Sequence, residues 1–304
     1  MNRESPTMVC LPMVSSRPMR RYALGSLVLI AYVLLVGCAT SRPERLSDVA
    51  QEELDLKVEA AVSQGDCTGL RHWLQLGGSP QPKNAKHPPL VRAAAAKRLT
   101  CVLALLDAGA DPDAAMSDGT TALQLVARHA DRDIVNLLVA RGADVSRANL
   151  AGVAPLAAAA GSGDESIVEI LLQHGAPVDA ASTRGWSALH HAIARDRPVI
   201  AGRLLDWGAN PDGQDVLGTT PVLLAAAACE QCVAMLLDRG ADINRQNHQG
   251  MTPLMVAAQN GRQSTIELLL QRGADPGLRD ESGRTYREWG KEGCRSHEPP
   301  CAGG

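Results

Sequence analysis

From Gly250 to Pro276 the chain reads GMTPLMVAAQNGRQSTIELLLQRGADP, and this stretch alone lays out a pair of helices. Thr252 can accept from an orphan backbone N–H at a helix start, and Pro253 suits the first helical position, where no hydrogen bond is lost. The Leu and Ala that follow offer a face on which small side chains let helices approach. Ile266, Leu268, Leu269 and Leu270 place apolar residues on one face of a second helix. Gly273 behind it suits a left-handed C-terminal cap, and Gly250 ahead of it suits a hairpin tip.

The same pattern recurs through the chain. PPLVRAAA begins at Pro88, TALQLVAR at Thr121, APLAAAAG at Ala154, SALHHAIA at Ser187, TPVLLAAA at Thr220 and TPLMVAAQ at Thr252, at intervals of 33, 33, 33, 33 and 32 residues. Gly109, Gly142, Gly175, Gly208, Gly240 and Gly273 keep a second beat, and Gly119, Gly152, Gly185, Gly218, Gly250 and Gly283 a third, each in a turn ahead of the next helix. Self-similarity held in phase over this length is the signature of a repeat architecture. Two degenerate units extend it: LKVEAAVSQGDCTGLRHWLQLGG from Leu56, with Ala61, Gly65, Leu74 and Gly77 in register, and DESGRTYREWG from Asp280.

These residues resemble the ankyrin repeat, whose first helix opens T-P-L-H-x-A and whose second ends L-L-x-x-G-A-D. The resemblance implies an all-α solenoid of about seven helix-turn-helix units plus a terminal half repeat, over residues 48–290, with a tail at 291–304. Terminal units with polar outer faces are expected, because an array must cap its exposed core. Two departures stand out. Only Ser187-Ala188-Leu189-His190 keeps the family histidine, so the structural role of that side chain is expected to be absent elsewhere. The unit at Thr220 is one residue short around ACEQC, so that turn is expected to differ from its neighbours.

Ahead of the array, Arg17, Arg20 and Arg21 precede an apolar run of 15 residues, Tyr22 to Val36, that closes on Gly37 and Cys38. A charged head, an apolar core and a small-residue exit form a secretory signal, and the core is shorter than the roughly 20 residues that a membrane-crossing helix needs. Leu35-Val36-Gly37-Cys38 resembles the lipobox of bacterial lipoproteins, with an ordinary cleaved signal or a short anchor as the alternative. The resemblance implies that residues 1–37 are removed, that Cys38 is lipidated, and that 38–47 form a linker. With Ala39 after the cysteine, it also implies an outer-membrane location facing the periplasm. Residues 1–18 are read as disordered or as an over-long start, since a chain from Met19 already holds a complete signal.

Composition narrows the function. There is no Phe, with 3 Tyr and 4 Trp, so the core must be built from small and branched aliphatic side chains. Without residues 1–37, 26 basic side chains face 32 acidic ones, and the formal charge moves from −3 to −6. That balance argues against nucleic acid as a partner, since phosphate binding needs clustered Lys and Arg. The sequence holds no phosphate-cradling glycine loop, paired-histidine zinc pattern or nucleophile elbow, so no catalytic residue and no cofactor are assigned. His190 and His191 are adjacent, point about 100° apart on a helix and cannot clamp one metal together.

Cys10 falls in the removed segment and Cys38 at the lipid site, which leaves Cys67, Cys101, Cys229, Cys232, Cys294 and Cys301. An even count in an exported chain invites pairing, although six cysteines allow 15 connectivities. Locality selects Cys67 with Cys101, Cys229 with Cys232, and Cys294 with Cys301; the alternative is that some are small buried thiols. CEQC also raises a thiol-active, redox-supporting role, but the βαβ context of such motifs is missing.

The repeat resemblance implies a non-catalytic, monomeric scaffold for a protein partner. Contacts are expected just before each T-P-L-H start and seven or eight positions after it. By position these are Ser117, Asp118, Thr120, Arg128 and His129, then Trp186 and Arg195, then His248, Gln249, Met251, Gln259 and Asn260. Trp186 is either an interface anchor or a packing element against the neighbouring turn.

Overall fold

The computed structural model describes residues 48–83, 85 and 87–296. All lie in one compact unit, Leu46–Gly304. The signal segment, Cys10, Cys38 and Cys301 fall outside the described residues, as does the side chain of Cys294.

The described residues form helices and turns, with a single isolated β-bridge between Ala115 and Thr121. Seven helix pairs follow one another: α1 (Asp48–Gln64) with α2 (Cys67–Gln75), α3 (Pro89–Ala95) with α4 (Leu99–Asp107), α5 (Ala122–Arg128) with α6 (Arg132–Ala140), α7 (Pro155–Ser162) with α8 (Glu165–Gln173), α9 (Ala188–Ala194) with α10 (Pro198–Asp206), α11 (Pro221–Ala228) with α12 (Glu230–Asp238), and α13 (Pro253–Gln259) with α14 (Gln263–Gln271). A last helix, α15 (Tyr286–Ser296), packs on α13 and runs past the expected array end at residue 290. None of these helices is long and apolar enough to cross a membrane.

The first helices of the pairs pack on one another in one row and the second helices in another. Each row is held by a buried column. Val58, Leu90, Leu123, Leu156, Leu189, Val222 and Leu254 repeat through the first row, and Leu105, Leu138, Leu171, Leu204, Leu236 and Leu269 through the second, all at most 1% exposed. Alanines such as Ala93, Ala127, Ala160, Ala192 and Ala226 fill the space between them and let the rows close. In the degenerate first unit the buried leucine of α2 is Leu70 rather than Leu74, which is half-buried.

Gly109 shows how each pair ends. At φ 86° it is left-handed; its N–H reaches Leu106 O at 3.0 Å, and the N–H of Ala110 reaches Leu105 O at 2.9 Å, closing the helix end. An added Cβ at Gly109 would meet nothing within 4 Å, so the demand for glycine there is conformational. On the surface, Arg141 pairs with Asp107, Arg239 with Asp206 and Arg272 with Asp238, linking successive second helices. These solvent-exposed ion pairs contribute little beside the buried columns.

Candidate functional site

From α4 onward, the chain after each second helix makes a finger, closed at its base by backbone bonds such as Met116 N–H to Thr120 O at 2.9 Å and Ser182 N–H to Trp186 O at 3.0 Å. A short polar side chain ties the turn. Asp118 accepts from Thr120 N–H at 3.0 Å, Asp215 from Leu217 and Thr219 N–H at 2.8 Å each, and Asn247 from Gln249 and Met251 N–H at 3.0 and 2.9 Å. The Thr120 N–H holds the Asp118 carboxyl below the usual carboxylate range. At Asp215 burial pushes the other way, but the Thr219 and Leu217 N–H groups and the Trp186 indole outweigh it, and its pKa is lowered.

Adjacent tips are joined in one continuous ladder: Leu150 N–H to Asp118 O, Thr183 to Ala151, Val216 to Arg184, His248 to Leu217 and Glu281 to Gln249, at 2.9 to 3.1 Å. This ladder brings Asp118, His248 and Gln249 onto one line of tips. Tip glycines keep it tight, since a Cβ at Gly152 would lie 2.8 Å from Thr183 N. Ser117, Asp118, His248 and Gln249 are exposed at tips and Thr120 is half-buried. Arg128, Arg195 and Gln259 are exposed in or just after the last turn of first helices, each followed by an exposed neighbour of which His129 and Asn260 are two.

Two of the positions expected to make contacts turn inward. Met251 is only 5% exposed and packs inside the array. Trp186 is half-buried; its Nε1–H donates to Asp215 at 3.1 Å in the next finger, and its ring meets His191 edge-on at 5.2 Å and stacks beside His190 at 6.3 Å. Of the two roles weighed for it, packing against the neighbouring turn describes these contacts. Sequence reasoning did not single out the apolar tips, Leu150 at 75%, Val216 at 58% and Leu217 at 63% exposed. The signal was available: both tips lie one or two residues before a turn glycine, where apolar side chains have no helix to cover them.

His190 is buried and links two units. Its Nδ1 accepts from Ser187 N–H at 3.2 Å and sits 2.9 Å from the Ser187 hydroxyl, while Nε2 points at Thr219 O, 3.4 Å away in the next finger. The expectation that this role is absent elsewhere is wrong for one unit. Gln124, two repeats earlier in register, accepts from Thr121 N–H at 2.9 Å and donates to Val153 O at 2.7 Å and Arg147 O at 2.9 Å. An amide offers an acceptor and a donor in the same order as the neutral imidazole, which is why it substitutes.

Disulfides join Cys67 to Cys101, at the starts of adjacent second helices, and Cys229 to Cys232 in the shortened turn. Among the described residues, the cluster of donors that could hold a metal ion is Asp196 with Cys229 and Cys232.

A family model described as Ankyrin repeats (3 copies) matches residues 58–149, 147–215 and 199–280. No curated protein matches the chain.

Proposed function

Because the chain belongs to the ankyrin-repeat family, we propose that it is a non-catalytic scaffold whose line of fingertips holds a protein partner at a bacterial outer membrane, on the periplasmic side. The observation that carries the binding surface is the ladder of tips bearing Leu150, Val216 and Leu217 in the open beside polar Ser117, Asp118, His248 and Gln249. Single exposed apolar residues are common, but apolar side chains on bonded tips form a preorganised strip with little left to order on binding. The membrane tether rests on Leu35-Val36-Gly37-Cys38 behind its apolar run, with Cys38 as the acylated residue and the chain monomeric.

Crosslinking in solubilised envelope, followed by mass spectrometry, tests both halves. The expected result is one stoichiometric partner with crosslinks clustered at the tips. Val216→Ser with Leu217→Ser should lower its yield on the order of tenfold, the loss of about 1.4 kcal/mol, without shifting the melting temperature. Fatty-acid labelling of the wild type should disappear in Cys38→Ala. Partner capture unchanged in the tip variant, or labelling retained without Cys38, overturns the corresponding half.

A further inference from the structure

Six turns between paired helices carry one left-handed residue: Gly65, Lys97, Ala130, Gly163, Asp196 and Gly261, with φ between 52° and 95°. The turn from α11 to α12 has none. Cys229 stands there alone at φ −140°, ending one helix and capping the next, so the deletion read in the sequence removed the left-handed residue itself. Cys229 Sγ takes over the capping and accepts from Cys232 N–H at 3.1 Å. Both cysteines are buried, at 4% and 0% exposure, yet Cys229 lines an open cleft together with Asp196 from the preceding turn. The Asp196 carboxylate is exposed and lies, with both sulfurs, in a group of atoms within 4.8 Å of one another. This turn differs from the other six in shape and in donors.

We propose that reduction of the Cys229–Cys232 disulfide opens a binding site for a soft divalent cation, held by the two thiolates and the Asp196 carboxylate. A dithiol supplies two electrons and two protons: the S–S bond breaks, two S–H bonds form, and the dithiol closes to its own disulfide. Binding then exchanges the two thiol protons, released to solvent, for two sulfur–metal bonds. The chemistry follows from the parts. Two cysteines separated by two residues have the spacing of thiolate zinc ligands, and thiolates select soft or borderline cations over magnesium or calcium. The N-terminus of the nine-residue α12 favours negative sulfur. Three protein donors leave a fourth position for water or a ligand from the cleft. In the oxidised form the sulfurs carry no charge and bind each other, so the site is closed.

The test uses the full chain, reduced with dithiothreitol, desalted without air and titrated with Co2+ while the thiolate-to-cobalt charge-transfer band is read. One equivalent should produce the band in the reduced wild type and none in the oxidised protein, and Cys232→Ser should abolish it. Asp196→Asn keeps a residue type that tolerates the left-handed conformation and should weaken Co2+ binding on the order of tenfold or more, with an unchanged helical circular dichroism spectrum. A band of equal strength in Cys232→Ser would assign the metal to other thiols. That result, the absence of a band in the reduced wild type, or unchanged affinity in a folded Asp196→Asn protein overturns the proposal.

Discussion

His190 shows what one buried side chain contributes and when. It is 1% exposed, and burial, outweighing its bond to Thr219 O, holds its imidazole below the ordinary value of 6.5. His191 is lowered the same way, by burial first and then by His190 and Arg195. The unfolded chain therefore binds these protons more readily than the folded one. Stability is present in full above the unfolded value of about 6.5 and is lost as pH falls below it toward the folded values. Thermal melts should drop between pH 7.5 and 5.5 by more in the wild type than in His190→Gln, which should keep the neutral-pH melting temperature because Gln124 already makes the same bonds in its own unit. His190→Ala should cost about 1–3 kcal/mol by leaving the buried Ser187 N–H without its acceptor. An equal acid slope in wild type and His190→Gln would remove His190 from this account.

At the scale of the element, the turn between paired helices sets a backbone demand that the sequence meets unevenly. Gly163 and Gly261 sit in the left-handed region at no steric cost, whereas Ala130 holds φ 56° in the same register between α5 and α6. An L-residue with a Cβ pays about 1–2 kcal/mol for that conformation. Ala130→Gly should therefore raise stability by about 0.5–1 kcal/mol after the added flexibility of the unfolded chain is counted. Urea denaturation should show a higher midpoint at unchanged slope; a lower midpoint would show that the turn is not strained at Ala130.

Across the whole array, units touch only their neighbours, so stability is shared along a line and the ends open first. The Cys67–Cys101 disulfide ties α2 to α4 across a separation of 34 residues, a loop worth about 4 kcal/mol by the chain-entropy relation, against about 2 kcal/mol for the three-residue separation of Cys229 and Cys232. Cys67→Ala with Cys101→Ala should speed amide exchange in α1 and α2 while leaving α7 to α9 protected. Uniform acceleration along the chain would mean that the units unfold as one body, against the linear picture.

The sequence by itself determined the repeat, its phase, the helix pairs and the place of the irregular turn. Those depend on local chemistry: a Thr-Pro start, an apolar helical face, a glycine that alone suits the cap, and a count that falls from 33 to 32. It could not show that Gln124 takes the part of His190, that Met251 faces inward, or that Trp186 gives its N–H to Asp215 a unit away. Nor could it show that Asp196 stands over Cys229 and Cys232. The contacts of Gln124, Trp186 and Asp196 join residues about a repeat apart, and only the stacking of one unit on the next brings such side chains within bonding distance.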